Sequence, residues 1–571
     1  MSQPARDPDI KSGIASPTIV DSRRLMGPNL LHAGPGAVLD VSLDDATPAH
    51  NTRLLTAWHE RASAIADALD WPDPQTAQRT HNGGASLFVT APIDQLMTAT
   101  EVTESAWQFA DAYVAGSDID DDLAALLAFS HAEMRRTPSG RRPLCELWNE
   151  AQRLGLNVTF DEKEIFVGTG AGAEGWPLDA VPLVEDINWL AIRDIPLVLV
   201  TGSNGKTTVV RMVAAMARAA GHTVGYTCTD GVWIGDTQVE TGDYSGPAGA
   251  RRVLQDTSVT LAVLETARGG MLRRGLAVQH ASAAAIVTLS ADHFGSYGIA
   301  DLAALADVKM IVGRAVHERG TLIYNADVPD LVSAASRQGG RTIGVSQTPQ
   351  SAPSGTQDST AQLAEIPATL CGAAKHNVLN AAVALAIAHE LELGPKATAA
   401  LLHFGADPND NMGRLMLKAF GGITVVIDYA HNPQSVAALI DATAQLPAAR
   451  RAITLGTGGD RDDVALRAIA KAAVDSGAID LYIAKEMPKF LRGREPGSIS
   501  AVLHDALEEY GVPALRRVRA SDDISAVRLA LRWAERGDVL LLTVHDQRDA
   551  VLALVDTLVR HNWQAGNPLP T

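Results

Sequence analysis

The sequence predicts an α/β protein: a central domain carrying a phosphate-binding loop on a mostly parallel sheet, a smaller α/β C-terminal domain and an α+β N-terminal domain. Three observations predict it. Pro196-Leu197-Val198-Leu199-Val200 is a short continuous apolar run of the kind that forms a buried parallel strand, and it leads into Thr201-Gly202-Ser203-Asn204-Gly205-Lys206-Thr207-Thr208 and a helical stretch through Ala219. Further apolar runs alternate with helical patterning, which is the rhythm of a sheet covered by helices on both faces. A second such series begins near Gly413.

Taken in order, residues 1–189 form the first region, opening on a polar segment that runs to about Ile19. Arg135-Arg136-Thr137-Pro138-Ser139-Gly140-Arg141-Arg142 is basic, but its Pro, Ser and Gly make it a solvated linker. Residues 190–412 form the central domain, with strands expected at Val259–Leu264, Ala284–Leu289 and Thr321–Tyr324 and a helix over Asp301–Val316. Ser346–Gln362 reads as a surface loop and Lys375–Leu391 as an Ala-rich helix. Residues 413–571 form the last domain, with strands expected at Thr424–Ile427, Ala452–Leu455, Leu481–Ala484 and Val539–Val544. No fixed-period repeat is present, which excludes a solenoid.

The bulk numbers narrow the function. The chain has 571 residues, 46% hydrophobic and 20% charged, which at about 150 residues per domain gives three or four domains of an ordinary globular protein. A net charge of -18 argues against nucleic acid as a partner, because phosphate neutralisation needs clustered Lys and Arg. The three cysteines, Cys145, Cys228 and Cys371, are widely spaced and contain no CxxC, so neither a disulfide framework nor a zinc site is expected. No apolar run approaches the roughly 18 residues that span a bilayer, and the first thirty or so residues lack a signal-peptide core. A cytoplasmic protein without a membrane partner is the expectation; a homo-oligomer is compatible with it.

The loop carries the chemistry. Gly202 and Gly205 let the backbone turn so that successive N–H groups, among them those of Ser203, Asn204 and Thr208, point at phosphate oxygens, while the following helix presents its positive end. Lys206 adds a point charge, and the Thr207 hydroxyl is placed to hold Mg²⁺. The longer P-loop consensus needs a glycine at position 200, where this chain has Val200, so the loop is a shortened one. Glu265 and His293 close later apolar runs, at the strand ends where ligands bind in open α/β sheets. A carboxylate there suits a phosphate-bridging metal, whereas a lone histidine reads more often as a hydrogen-bonded structural residue.

Beyond the loop, several strings resemble Mur ligases, and in particular the Mur-like half of the cyanophycin synthetases, over residues 190–571. They are Thr201–Thr208, Tyr226–Gly235, Gly242–Pro247, Leu264–Gly270, Asn325-Ala326-Asp327, His376–Ala382, Asp428–Pro433, Gly458–Arg461 and Leu491–Arg494, in a shared order. The shortened loop is the form such ligases carry. Position by position, the resemblance implies that Lys206 and the loop amides cradle the phosphates of ATP. Thr207, Glu265 and His293 become ligands of Mg²⁺, so His293 takes the role that its residue type alone did not give it. Lys309 matches a lysine that is carbamylated in many Mur ligases; a surface helix lysine is the alternative. Asn377 matches an adenine contact, Arg414 an arginine reaching the phosphates from the last domain, and Asp428 a carboxylate on the ribose or the linker. His431 and Asn432 either join that site or only shape its turn.

Met26-Gly27-Pro28-Asn29 and the stretch from Gly155 to Gly170 resemble the N-terminal region of cyanophycin synthetases up to the start of their ATP-grasp domain, but only some twenty residues separate Gly172 from the Mur-like strand, far too few for such a domain. The resemblance implies an ATP-dependent carbon–nitrogen ligase. It activates a carboxylate as an acyl phosphate, releasing ADP, and joins it to an amino acid or amine with release of phosphate; an isopeptide bond to an acidic residue is the nearest analogy. Arg268, with Arg273 and Arg274, is suited to gripping an acceptor carboxylate, although a solvated charge cluster is the alternative for the last two. The Asp-Asn-Pro-x-x-x-Arg string by which some Mur ligases choose diaminopimelate is absent. Folate polyglutamylation and a non-catalytic ATP-binding scaffold stand as the other readings. A P-loop GTPase is disfavoured, because no Asn-Lys-x-Asp string occurs.

Overall fold

A computed structural model describes residues 18–43, 47–116, 142–161, 163–291, 294, 296–347 and 362–570. The initial polar segment, the basic stretch ending at Arg142 and the loop Ser346–Gln362 fall largely outside the described residues, as does His293. Four sheets follow one another along the chain. Strands β1 (Ile19–Leu25), β2 (Gly36–Ser42), β3 (Thr76–His81) and β4 (Gly84–Thr90) make an antiparallel sheet of order β1-β2-β4-β3. Alternation sorts their side chains: Leu39, Val41, Leu87 and Val89 pack with Trp58, Ile65 and Trp107 of the helices Pro48–Ala68 and Leu96–Ala115, while Val38 and Phe88 meet Leu25 in a separate cluster. Buried Trp58 keeps its indole N–H satisfied by donating to the Thr103 carbonyl at 3.1 Å.

A small antiparallel sheet follows, β5 (Val158–Phe160), β6 (Glu164–Val167) and β7 (Glu174–Pro177). Between Gly172 and Pro196 the chain forms only β7 and one 3₁₀ turn, Val184–Asp186, so no further nucleotide domain intervenes there. A buried polar knot ties this region down. The Asn157 amide donates to the Asp194 carboxylate at 2.9 Å and to the His280 carbonyl at 2.8 Å, while its oxygen accepts from the backbone of Gln279 and His280.

The eight-stranded, mostly parallel sheet has the order β11-β10-β9-β12-β8-β13-β14-β15. Its strands are β8 (Leu197–Thr201), β9 (Val224–Cys228), β10 (Gly231–Ile234), β11 (Thr237–Thr241), β12 (Leu261–Glu265), β13 (Ala281–Ile286), β14 (Val316–Asn325) and β15 (Arg341–Val345). The last sheet, β16 (Met416–Phe420), β17 (Ile423–Asp428), β18 (Arg451–Leu455), β19 (Leu481–Lys485), β20 (Arg517–Ala520) and β21 (Val539–Thr543), has the order β16-β17-β21-β18-β19-β20, with only β16 antiparallel to its neighbour.

Two expectations are corrected in detail. The helix read over Asp301–Val316 forms as Leu302–Lys309, capped by the Asp301 carboxylate accepting from the Ala304 N–H at 2.8 Å, and Ile311–Arg314; Val316 already begins β14. Element boundaries are the least determinate part of a periodicity reading, and Arg314-Ala315-Val316-His317 carries no Gly or Pro to mark the change from helix to strand. The strand read over Ala284–Leu289 ends at Ile286, because Val287 to Ser290 turn to bond the phosphate loop.

By its internal contacts the chain divides into two units. One comprises Met1–Leu199, Gly225–Ser282 and Phe294–Arg319; the other Val200–Val224, Ala283–His293 and Gly320–Thr571. Among the described residues no helix is long and apolar enough to cross a membrane.

Candidate active site

The loop after β8 is built from within the second unit. The Ser203 N–H donates to the Thr288 carbonyl at 3.0 Å, and the Asn204 N–H to the Thr288 hydroxyl at 2.8 Å, so the chain after β13 braces the loop. Gly205 stands at the N-cap of helix Lys206–Ala219 with φ +85°. A Cβ there would lie 2.4 Å from Asn380 Oδ1 and 2.9 Å from Val287 Cγ1, so both conformation and space require glycine. That helix has no side-chain cap, which leaves its first amides directed at whatever occupies the loop. Lys206 is half-buried, and its ammonium donates to the Gly202 and Ser203 carbonyls at 3.1 and 3.3 Å.

Arg414 meets the loop. Its guanidinium donates to the Thr207 hydroxyl at 3.4 Å and lies over the Tyr429 ring, 4.0 Å from the centroid. The backbone beside it is held in an uncommon state: Leu415 has φ +49°, and its N–H donates to Asp428 at 2.7 Å. Burial raises the Asp428 pKa, opposed by Arg414 and His376, and burial lowers that of His376. Thr208, on the same helical turn as Thr207, accepts from the Asn411 amide at 3.4 Å, and Arg211 donates to the Met412 carbonyl at 2.9 Å, so the segment leading to Arg414 is tied to the helix that the loop begins.

Asn432 shapes its turn and also touches the loop. Its carboxamide oxygen caps helix Pro433–Thr443 by accepting from Ser435 N–H at 2.9 Å, with the Ser435 hydroxyl reciprocating, and its amide donates to Asn204 of the loop at 2.9 Å. Asn377 is buried at 2% exposure; it donates to the Ala368 carbonyl at 2.7 Å and accepts from Asn380 at 2.9 Å.

Glu265, Arg268 and Lys309 lie in the first unit. Glu265 ends β12 at 2% exposure, its carboxylate accepting from the Thr229 hydroxyl at 2.9 Å and the Thr229 N–H at 3.3 Å. Arg268 opens helix Arg268–Arg274. Lys309 ends helix Leu302–Lys309 at 3% exposure, so the surface-lysine alternative fails. Arg273 is engaged too, donating to the Tyr297 hydroxyl at 3.0 Å. Sequence reasoning missed Thr229, which sits inside the quoted Tyr226–Gly235 string, and Tyr429 as the surface under Arg414. It also missed Arg211, for which the sequence offers no signal.

Residues 200–388 match the Mur ligase middle domain, and residues 413–543 match the Mur ligase glutamate ligase domain. The cyanophycin synthetase of Trichormus variabilis is 33% identical over 402 residues, 66% of this chain and 44% of that protein. The UDP-N-acetylmuramoyl-L-alanyl-D-glutamate--2,6-diaminopimelate ligase of Corynebacterium efficiens is 26% identical over 61% of this chain and 69% of its own. Among solved structures, the bifunctional folylpolyglutamate synthase/dihydrofolate synthase of Yersinia pestis, complexed with AMPPNP and Mn ion, gives a TM-score of 0.46 at 19% identity, covering 63% of this chain and 89% of its own. The chain thus spans less than half the length of the cyanophycin synthetases that it matches.

Proposed function

From the premise that this chain belongs to the Mur ligase family, we propose that it is an ATP-dependent ligase forming an amide bond between a substrate carboxylate and an amino acid or amine. The observation that carries this reading is the arrangement at the loop: an uncapped helix N-terminus, Lys206 beside it, and the Arg414 guanidinium 3.4 Å from Thr207. These groups gather positive charge where the oxygens of a transferring phosphoryl group collect negative charge.

In the proposed reaction a carboxylate oxygen attacks the γ-phosphorus of ATP and ADP leaves. The amine nitrogen then attacks the acyl carbon, phosphate departs, and the amide remains after loss of a proton from nitrogen. Lys206 and Arg414 hold the phosphates, and the loop amides orient them; the protein's task is positioning and charge neutralisation. Thr207, Glu265 and His293 are the proposed ligands of a divalent cation, Mg²⁺ by preference. Glu265 fits that role: it is a buried carboxylate at a strand end whose oxygens are oriented by Thr229. When bound, the ion offsets negative charge on the phosphates.

Lys309 is proposed as a carbamylated lysine, which suits its burial, and Arg268 as a grip on the acceptor carboxylate. Asn377 and Asp428 keep their assignment to the nucleoside, with Asp428 also fixing the backbone next to Arg414. The acceptor is proposed, from the resemblance of the sequence motifs alone, to be a carboxylate on an acidic residue.

Phosphate release from ATP, measured with a panel of amines against aspartyl and glutamyl acceptors, tests the reading. Stimulation by one pair, lost in Lys206→Ala, is expected. Release unaffected by every pair, or unchanged in that variant, would sink it in favour of a nucleotide-binding scaffold.

A further inference from the structure

The Arg414 guanidinium rests on an aromatic ring whose surroundings are unusually constrained. Tyr429 takes Arg414 over its ring at 4.0 Å, and it makes edge-to-face contacts with His545, centroids 4.9 Å apart at 76°, and with His431, 5.4 Å apart at 71°. His545 is itself fixed at both ring nitrogens. Lys485, fully buried, directs its ammonium at His545 Nδ1 across 2.8 Å, and His545 Nε2 lies 3.1 Å from the Ala430 carbonyl. An ammonium only donates and a carbonyl only accepts, so Nδ1 accepts and Nε2 carries the proton. The imidazole is therefore neutral, in one tautomer. The Lys485 charge is matched by Asp523 at 2.5 Å, whose other oxygen accepts the backbone N–H groups of His545, Asp546 and Gln547.

This matters for Arg414 because a guanidinium is drawn to the electron-rich face of a tyrosine, and a cationic imidazolium against the same ring would oppose it. The chain of contacts runs from a buried ion pair, through an imidazole held neutral, to the ring that carries the arginine at the phosphate loop.

We infer that Tyr429 is a positioning residue, fixing Arg414 for the nucleotide phosphates through its ring face, and that His545, held as the neutral Nε2–H tautomer by Lys485 and the Ala430 carbonyl, is the support that keeps Tyr429 in place. The inference rests on the proposed nucleotide-binding role of the loop and adds a part of the molecule that the family motifs leave without a role, the Lys485–Asp523–His545 group.

The test is calorimetric titration of the full chain, in magnesium chloride, with the nonhydrolysable analogue AMPPNP. Tyr429→Leu should weaken binding by about 5- to 30-fold, while Tyr429→Phe, which keeps the ring, stays within about twofold of the parent. His545→Asn should shift binding in the same direction by a smaller factor. In an Arg414→Ala background, Tyr429→Leu and His545→Asn should have no further effect, because the residue they position is gone. A purely structural Tyr429 would weaken binding equally with or without Arg414, and that result overturns the inference. So does Tyr429→Leu binding as the parent does, or Tyr429→Phe being as impaired as Tyr429→Leu. Melting curves of each variant separate loss of fold from loss of positioning. If the parent chain itself fails to bind AMPPNP, the nucleotide reading fails first and this inference falls with it.

Discussion

Two lysines of the second unit stand in contrasting surroundings. Lys206, at the phosphate loop, is half-buried, and among the described residues its partners are two backbone carbonyls of its own loop. Lys485, at the end of β19, is fully buried against Asp523 and His545, with the Gly456 backbone so close that a Cβ there would fall 2.9 Å from its nitrogen. Carbonyl partners leave the first lysine with an unneutralised charge that an anion can take up. The carboxylate partner commits the second to the fold, since a buried charge without its counterion is costly. On the proposed reading the first lysine is set aside for a ligand, while the second belongs to the packing of its own domain.

The sharpest way to break this contrast is to remove each charge in turn. Lys206→Ala should reduce ATP-dependent phosphate release by on the order of a thousandfold or more while leaving the melting temperature unchanged. A coupled loss of stability would show that Lys206 also holds the loop together. Lys485→Met should do the reverse. It leaves Asp523 charged and buried, and Asp523 cannot be given up in turn, because it also receives three backbone N–H groups. A loss of about 3–5 kcal/mol in urea unfolding is expected. A variant as stable as the parent would mean that Asp523 is satisfied by those amides alone.

The two lysines also divide what was legible. Lys206 was readable because an apolar strand, a glycine-bearing loop and a helix form a local pattern, with every partner a few residues away. The same locality made four of the six strands of the last sheet readable to within about two residues, the usual scatter of boundaries, whereas the two edge strands, β16 and β20, were not foreseen. Lys485 was not readable, since Asp523 opens the helix after β20 and His545 follows β21, and only the order β21-β18-β19-β20 brings the three together. Thr229 on Glu265, Tyr429 under Arg414 and Asn432 on Asn204 are long-range pairings of the same kind. Glu265, Arg414, Asn204 and Asn432 were all named from their motifs; that they pair in this way took shape only with the sheet.

The contrast extends to carboxylates. Burial pushes Asp523 up, but the Lys485 ammonium and the backbone N–H of Gln547 outweigh it, so its carboxyl lies below the usual range. Asp194 is buried with neutral partners only, the Asn157 amide and N–H and the Thr169 hydroxyl, and burial prevails, pushing it up to about 6. The signs are opposite. Asp523 contributes stability above the unfolded carboxylate value of 3.8 that is lost as pH falls; Asp194 contributes stability below 3.8 that is lost as pH rises through about 6. For Asp194 the whole effect is about 3 kcal/mol, of which about 1.4 kcal/mol falls between pH 5 and pH 8. The change in unfolding free energy between those two pH values, measured by urea titration, should differ between the parent and Asp194→Asn by that smaller amount. Taking the difference cancels the opposing contributions of His280, His376 and His545, whose pKa values are all lowered by burial. Identical pH dependence in the two proteins would show that Asp194 ionises normally in the fold.

The smallest effect tests a residue that serves fold and loop together. Asn432 caps helix Pro433–Thr443 and also reaches Asn204. Serine caps a helix about as well as asparagine but is too short to extend an amide to the loop, whereas alanine does neither. Asn432→Ala should therefore cost about 1 kcal/mol of stability, and Asn432→Ser only a few tenths. Both should weaken AMPPNP binding equally, if the Asn204 contact is what steadies the loop. Should the serine variant bind as the parent does, Asn432 belongs with Lys485 as a residue of the fold, and the Asn204 contact is a consequence of the loop's position.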